Sequence, residues 1–154
     1  MRRPPLVNAY YIQALQDLVR DAPFPRLMGM RLEGIEIDGA TVVLDIDERH
    51  FQPFGIVHGG VLATLIDTAT FWAAFLRLPP EAGLVNIDLK LNYLQPANAG
   101  RLTATGRCIR PGRTLSYTEA HVRDERGDLL AHGTSTLMAL PDRGIDVGVA
   151  KFAA

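Results

Sequence analysis

The most constraining feature of this sequence is the apolar segment Val61–Leu78, which is interrupted by one carboxylate, Asp67, and by three threonines. Its apolar residues cover most of the circumference of a helix that begins near His58 or Gly59. A helix that is apolar on nearly all sides is buried, so the rest of the chain must wrap around it. The segment is slightly short for a membrane span.

The residues on either side of this helix predict strands, apart from one N-terminal helix. That helix runs from the N-cap Asn8 to about Arg20, with Leu15, Leu18 and Val19 as its apolar stripe, and residues 22–25 end it. A hairpin with its turn at Asp38-Gly39 precedes the central helix. Four strands follow, at about 85–93, 101–110, 114–124 and 129–140.

These elements predict an α+β fold in which an antiparallel sheet curls around the central helix, because short hairpin loops favour antiparallel pairing. We expect a domain over residues 25–141, an N-terminal helical extension over 1–24, and a loose tail over 142–154.

Composition narrows the class of protein. A chain of 154 residues fits one domain. A net charge of -1 gives no electrostatic case for nucleic acid or an anionic membrane surface. The single cysteine, Cys108, cannot form an internal disulfide and fits a reducing cytoplasm. We therefore expect a soluble, cytoplasmic protein.

Asp67 is the first candidate functional residue, since an unpaired buried carboxylate costs several kcal/mol. One interpretation is a structural acid that accepts hydrogen bonds from Thr64, Thr68, Thr70 or a partner subunit. The other is a catalytic base or nucleophile in an apolar pocket, where its pKa is raised.

Gly59 and Gly60 follow His58 at the predicted helix start, where the first backbone N–H groups lack partners within the helix. Without side chains to block approach, a carbonyl oxygen can reach these groups, and an oxyanion there would be stabilised. The alternative is that the glycines only permit a tight entry turn.

The spacing of these candidates predicts that any active site joins two chains. Nine residues separate His58 from Asp67, which places them about 13 Å apart along one helix and on opposite sides of it. They cannot cooperate within one chain, so catalysis requires a dimer.

Three features of the chain together match a known family. They are Gln52-Pro53-Phe54-Gly55-Ile56-Val57-His58-Gly59-Gly60, Asp67 nine residues after the histidine, and Asn86-Ile87-Asp88-Leu89-Lys90-Leu91-Asn92-Tyr93-Leu94-Gln95-Pro96. With these features the chain resembles the hotdog-fold acyl-CoA thioesterases of the PaaI type. The resemblance covers residues 25 to 140 and includes the turn before Leu115 and the region of Gly133. It implies a curved sheet around one helix, active sites at a dimer interface, and homodimers or homotetramers built as dimers of dimers.

The resemblance also implies roles for individual residues. Asp67 matches the acid that activates water or attacks the thioester, and Gly59 matches the N–H that polarises the thioester carbonyl. Gln52 matches an Asn or Gln that positions carbonyl or water, while His58 holds the loop. Asn86 stands where relatives carry Ser or Thr near the attacking water, and this departure puts its role in question.

A thiolate whose conjugate acid has a pKa near 8.5 leaves readily, so one carboxylate and one oxyanion-binding N–H suffice without metal or cofactor. The candidates to meet the phosphates of the acyl-CoA substrate are Arg107, Arg110 and Arg113, and those for its acyl group are Phe51, Phe54, Phe71 and Trp72. The same residues also fit a solvated strand face and an ordinary core.

Two alternatives keep the fold and change the function. One is a domain that binds acyl-CoA without turning it over. The other is a hotdog enoyl-CoA hydratase, which uses an Asp and a His five residues apart. Asp45 and His50 have this spacing, but the residues between them lack the Asn-Pro of those enzymes.

Overall fold

The computed structural model describes residues 5–153 of the chain. Its helices are α1 (Ala9–Asp21), α2 (Pro23–Met28) and α3 (Gly59–Phe75), and a 3₁₀ turn spans Glu48–His50. Its strands are β1 (Met30–Glu36), β2 (Gly39–Asp45), β3 (Gly83–Asn86), β4 (Lys90–Tyr93), β5 (Arg101–Arg110), β6 (Leu115–Arg123) and β7 (Leu129–Leu140). Within these residues the strands form an antiparallel sheet in the order β1-β2-β5-β6-β7-β3, and β4 also pairs with β7. The predicted α+β fold class is confirmed.

The N-terminal helix begins as predicted, because the Asn8 side chain accepts a hydrogen bond from the Tyr10 N–H at 3.0 Å. Its buried stripe consists of Tyr11, Leu15 and Val19, spaced four residues apart. The prediction that Leu18 belongs to this stripe is wrong. Leu18 lies one position before Val19, a rotation of about 100° around the helix, and its side chain is exposed.

Residues 22–25 end α1 as expected, but they do not lead into a loop. Pro23 occupies the first turn of α2, where its missing N–H costs nothing. The short helix closes at Gly29, whose φ of 71° lies in the left-handed region. A second short helix, which the sequence patterns did not predict, thus crosses the expected boundary at residue 24.

Helix α3 lies against the inner face of the sheet and begins at Gly59, as predicted. Its close approach to β5 depends on Gly106, where an added Cβ would lie 2.2 Å from the Ala69 carbonyl oxygen. Leu65, Ile66 and Phe75 on this helix are almost fully buried and anchor the core. No helix in residues 5–153, α3 included, is long and apolar enough to cross a membrane.

The predicted strand over residues 85–93 is broken into β3 and β4, which pair with successive parts of β7. At the break, the Asp88 carboxylate accepts a hydrogen bond from the Thr136 N–H at 2.7 Å, and the Asp88 carbonyl accepts one from the Ser135 hydroxyl at 2.8 Å. The apolar side chains of this edge also depart from the prediction, since Val85, Ile87 and Tyr93 are exposed in the single chain.

The prediction of a loose tail is wrong for the part of it that the structure describes, because residues 142–153 pack against the domain. Lys151 is only 3% exposed. Its Nζ donates hydrogen bonds to the carbonyls of Phe75 at 3.0 Å and Leu78 at 2.8 Å. Phe152 pairs with Val7 through an isolated β-bridge, which ties the two ends of the chain together. The boundaries at residues 24 and 141 stay predictions, and residues 1–4 and 154 lie outside the described part of the chain.

Candidate active site

The turn that leads into α3 is held from three sides. Phe51 and Val57 form an isolated antiparallel bridge. The Val57 N–H donates to the Ala97 carbonyl at 2.8 Å, and the His58 N–H donates to the His50 carbonyl at 2.8 Å. These backbone contacts fix the position at which the helix begins.

His58 is the N-cap of α3. Its Nδ1 accepts a hydrogen bond from the Gly60 N–H at 2.8 Å, and its carbonyl accepts one from the Val61 N–H at 2.9 Å. The Gly60 amide is therefore already occupied, which counts against its prediction as a substrate-binding donor. The Gly59 N–H has no hydrogen-bond partner among residues 5–153. One amide at the positive end of the helix is thus free to receive an oxygen atom.

Tyr93 gives Gly59 a second reason to be glycine, and the sequence patterns missed this residue. An added Cβ at position 59 would lie 2.9 Å from the Tyr93 Cζ atom. Both residues line an open pocket of about 560 Å³, together with Gln52, Ile56, Val57, Leu62, Leu94, Gln95, Pro96 and Ala97. The entry turn alone therefore does not account for the glycine. The importance of Tyr93 is visible only in the tertiary structure, which places strand β4 close to the start of α3.

Gln52 lines the same pocket. Its side-chain oxygen accepts a hydrogen bond from the Phe54 N–H, and its backbone N–H donates to the Ile56 carbonyl at 2.9 Å. These bonds fix the orientation of the amide and leave its NH₂ group without a partner in the described residues. This NH₂ group can donate to a carbonyl or a water, as the prediction requires.

Asp67 is half-buried, and within residues 5–153 no hydrogen bond reaches its carboxylate oxygens. Burial raises the pKa of this carboxyl above its usual value. The threonines of the helix do not serve it. Thr64 donates to the Gly60 carbonyl at 2.7 Å, and Thr68 donates to the Thr64 carbonyl at 2.8 Å.

Thr70 is also committed to the backbone, since its hydroxyl lies 2.8 Å from the Ile66 carbonyl and 2.9 Å from the Asp67 carbonyl. The interpretation of Asp67 as an acid satisfied by threonines of its own chain is therefore wrong. A carboxylate left without partners in a partly apolar environment suits a base or a nucleophile.

Asn86 fastens β3 to the backbone that carries Asp67. Its side-chain nitrogen donates to the Ser135 hydroxyl at 2.9 Å, to the Thr70 hydroxyl at 3.2 Å and to the Asp67 carbonyl at 3.4 Å. The amide thus contacts the backbone of Asp67, and its nitrogen is fully engaged. Its contacts fit a residue that orients the helix turn of Asp67.

The Gly59 pocket does not include Asp67, so one chain does not bring the predicted oxyanion donor and the predicted acid together. This separation agrees with the helix geometry, which places them about 13 Å apart along the axis.

The aromatic candidates divide between surface and core. Phe54 is 90% exposed at the tip of the turn, and Phe51 is also exposed. Phe71 is half-buried and stacks on Phe75 with ring centroids 5.7 Å apart. Trp72 is buried in the core and packs edge-on against Phe71 at 4.9 Å. Trp72 therefore does not line an acyl pocket, because its ring packs within the core.

The three arginine candidates also differ. Arg107 pairs with Glu119 at 2.8 Å, which makes it part of a surface ion pair. Arg110 and Arg113 are exposed and form no ion pair with any residue in 5–153. Arg113 lines a pocket of about 620 Å³ beyond the C-terminal end of α3, beside Arg77. Arg110 and Arg113 remain candidates for phosphate contacts.

The residues of the hydratase alternative serve other purposes. Asp45 forms ion pairs with Arg31 at 3.0 Å and Arg101 at 2.7 Å. His50 is buried with both ring nitrogens engaged by backbone groups. Neither side chain is available as the acid or base of a hydratase.

This chain belongs to the thioesterase superfamily, which it matches over residues 54–131, a span that contains Gly59, Asp67 and Asn86. It is also 30% identical over 110 residues to the 1,4-dihydroxy-2-naphthoyl-CoA hydrolase of Listeria monocytogenes. That alignment covers 71% of this chain and 89% of the relative.

Solved structures support the same assignment. A thioesterase from Haemophilus influenzae is similar with a TM-score of 0.81 and 25% identity, covering 90% of this chain and 96% of that one. The PaaI protein of the Escherichia coli phenylacetic acid degradation operon shares the fold, with a TM-score of 0.77 at 18% identity, over 85% of this chain and 94% of that chain. The predicted PaaI-type hotdog family and thioester hydrolase class are confirmed.

Proposed function

We propose that this protein hydrolyses acyl-CoA thioesters at a site that two copies of the chain build together. One copy supplies the Asp67 carboxylate, and the other supplies the Gly59 N–H. The observation that carries the proposal is the half-buried Asp67 carboxylate, which has a raised pKa and no hydrogen-bond partner in residues 5–153. The similarity to a naphthoyl-CoA hydrolase supports coenzyme A as the thiol.

In the proposed reaction the thioester carbonyl oxygen approaches the free Gly59 N–H, and the NH₂ group of Gln52 lies in the same pocket. Asp67 removes a proton from water, whose oxygen attacks the carbonyl carbon. The negative charge that develops on the carbonyl oxygen is stabilised at the helix N-terminus. The C–S bond then breaks, the thiolate departs and takes up a proton, and the free acid remains.

Direct attack by Asp67 is the other route by which this carboxylate can act, through an acyl-anhydride that water then opens. A single turnover in ¹⁸O-labelled water detects the anhydride route when water opens the anhydride at its aspartyl carbon. The label then enters the Asp67 carboxyl, which peptide mass spectrometry detects. General-base catalysis, like opening of an anhydride at its acyl carbon, places the label in the released acid alone.

The exposed edge of the sheet supports assembly with a second copy. Apolar surface is exposed along β3, the break that follows it and the end of β4, at Val85, Ile87, Tyr93 and Leu94. Within residues 5–153, β3 is the last strand of the sheet, so backbone groups on its outer side have no neighbouring strand there. A second copy that covers this edge would bury the apolar side chains, and light scattering would measure whether the assembly is a dimer or a tetramer.

The test of the proposal is free-thiol release from a panel of aromatic and aliphatic acyl-CoA thioesters, with Asp67→Ala beside the wild type. Turnover that collapses in a folded, oligomeric Asp67→Ala variant supports the proposal. Failure of the wild type to turn over any thioester would favour a domain that binds acyl-CoA without hydrolysis.

Co-expression of two inactive variants tests the shared site. A chain with Asp67→Ala keeps its Gly59 turn, and a chain with Gly59→Ala keeps its Asp67. A mixed dimer therefore contains one complete site if the two groups come from different chains. Activity that returns in the mixture supports this arrangement, and none returns if both groups act within one chain.

Coenzyme A recognition is assigned to Arg110 and Arg113, which are exposed and without ion pairs in the described residues. Replacing both with alanine is expected to raise KM and leave kcat unchanged, because the phosphates are remote from the reacting carbonyl. Arg107→Ala is the matched control, since Arg107 is already paired with Glu119. Equal effects of all three arginines would point to general surface charge.

A further inference from the structure

His50 is a buried residue that the proposed chemistry does not use. Its side chain is 1% exposed and lies in the turn Glu48–His50, eight residues before the helix N-cap. The Asp47 N–H donates to its Nδ1 at 2.9 Å, and its Nε2 lies 2.8 Å from the Met28 carbonyl. Because a carbonyl only accepts, these contacts require the tautomer with its proton on Nε2.

The backbone of the same residue reaches the candidate site. The His50 carbonyl accepts the hydrogen bond from the His58 N–H at 2.8 Å. His58 in turn accepts from the Gly60 N–H through its Nδ1, and the neighbouring Gly59 amide has no hydrogen-bond partner in residues 5–153. An unbroken series of hydrogen bonds thus runs from Met28 through His50 and His58 to the start of α3.

The Met28 end of this series belongs to α2, the short helix that follows α1. A second contact joins the same two segments, since Arg49 donates to the Leu27 carbonyl at 2.9 Å. Met28 and His50 both precede residue 54, where the match to the superfamily begins. The connection is therefore built by parts of this chain outside the matched span.

We propose that His50 is a positioning residue that anchors the oxyanion turn to helix α2. The proposal rests on the proposed function, because it assigns His50 the task of holding the Gly59 N–H at the point where the thioester oxygen is bound. The Nε2–H bond to the Met28 carbonyl carries this task, while the Nδ1 bond caps the 3₁₀ turn. A displacement of the amide by about 1 Å is enough to lower turnover substantially.

Two substitutions separate the two ring nitrogens. His50→Gln can place an NH₂ donor near the position of Nε2 and retains the bond to Met28, but it loses the acceptor for Asp47. His50→Asn places an acceptor near Nδ1 and retains the cap, but it loses the bond to Met28. Both variants remove the imidazole, so a general packing loss is common to the pair.

The experiment measures kcat and KM for the best thioester of the panel, together with amide hydrogen exchange at His58. We expect His50→Asn to lower kcat by about tenfold or more at unchanged KM and to speed exchange of the His58 amide. His50→Gln should retain most of the wild-type kcat and the slow exchange. Lys151→Met, which removes a buried polar contact far from the turn, is the stability control and should leave kcat unchanged.

Equal kcat and equal His58 exchange in the Asn and Gln variants would overturn the proposal, since His50 would then act only through packing. A fall of kcat in Lys151→Met that matches the fall in His50→Asn would overturn it too. If the wild type hydrolyses none of the thioesters, the proposed function fails, and the exchange measurement alone decides the role of His50. Faster exchange of the His58 amide in His50→Asn than in His50→Gln then supports the proposed anchoring role of His50, and equal exchange rejects it.

Discussion

Among the described residues, the amide at the N-terminal end of α3 has no hydrogen-bond partner, whereas carbonyls at and just beyond the other end of the helix accept hydrogen bonds from a buried lysine. Gly59 leaves its N–H free within the described residues, and Asp67 two turns further on has no partner for its carboxylate. Near the C-terminal end, Lys151 donates to the carbonyls of Phe75 and Leu78. A cation placed here also complements the negative end of the helix dipole.

This difference between the two ends of α3 shows in which part of the fold polar groups remain available for chemistry. The unpartnered groups lie in the part of α3 that we propose faces a thioester. The Asp67 carboxylate costs stability, because burial disfavours its ionised form and so raises its pKa. The satisfied groups lie where the tail closes the domain, and they stabilise the fold. The two ends should therefore respond oppositely to substitution.

The largest expected effect is that of Asp67→Asn, which removes the acid and keeps the shape. We expect kcat to fall about a thousandfold. Thermal stability at pH 7 should rise, because a carboxyl whose folded pKa is raised destabilises the native state once both states are ionised. Thiol release and calorimetry measure the two quantities. An Asn variant that loses both activity and stability would show that Asp67 is structural.

Gly59→Ala is expected to have the next largest effect, lowering kcat about a hundredfold. The new Cβ would meet the Tyr93 ring at 2.9 Å and crowd the approach to the free amide. Gly34→Ala on β1 is the matched control, since an added Cβ there makes only ordinary contact with Thr41 at 3.6 Å. If the double variant Gly59→Ala/Tyr93→Ala recovers full turnover, the loss arises from steric conflict with Tyr93.

At the other end of the helix, Lys151→Met should leave kcat unchanged. Above pH 8, where the Lys151 amine of the folded chain is largely uncharged, the substitution should lower the free energy of unfolding by about 1 kcal/mol. Methionine keeps the apolar stem but removes the Nζ donor, so the Leu78 carbonyl loses this partner and the Phe75 carbonyl keeps only the Leu78 N–H at 3.2 Å. Urea unfolding above pH 8 measures the change. A fall in kcat without a loss of stability would mean that the two ends of α3 are coupled.

The smallest expected effect is a pH dependence that Lys151 confers on stability. Burial lowers the pKa of Lys151 to about 8, although the carboxylate of Glu81 partly opposes the shift. The unfolded chain keeps this proton up to the ordinary pKa of 10.5, so it binds more protons than the folded chain between pH 8 and 10.5. The stability of the wild type relative to Lys151→Met should therefore rise with pH across this window.

Urea midpoints of both proteins at several pH values between 7 and 10.5 check this expectation. A relative stability that instead falls as pH rises would show that the two carbonyls favour the charged ammonium more than burial disfavours it.

Local patterns predicted the elements of the fold well. The Asn8 cap, the turn at Asp38 and the start of α3 at Gly59 are present as expected. Each of these depends on a few neighbouring residues, such as a capping side chain or a residue that tolerates positive φ, so the sequence contains the necessary information. The prediction of a single strand over 85–93 was wrong because the Asp88 carboxylate accepts a hydrogen bond from the Thr136 N–H. Thr136 lies 48 residues away in the sequence, so no local pattern indicates this contact.

The candidate site was predictable only where a motif marks it. Asp67 stands out because it interrupts an apolar helix, and Gly59 because it begins one. Tyr93 and His50 carry no such mark, since one lies on an alternating strand and the other in a polar turn. Their roles depend on contacts with Gly59 and with Met28, which folding alone brings close.

The sequence by itself determined that a buried helix with one carboxylate is surrounded by an antiparallel sheet. It could do so because apolar periodicity and turn residues, which predict the helix and the strands, depend on residues that are close together in the sequence. Only the tertiary structure decided which polar groups find partners. The three threonines donate to the helix backbone, and Lys151 donates to carbonyls at the end of α3. The Asp67 carboxylate and the Gly59 amide have no hydrogen-bond partner in the part of the chain that the structure describes. Hydrogen bonding depends on atoms that lie within about 3 Å of each other in space, and local sequence patterns do not report that distance.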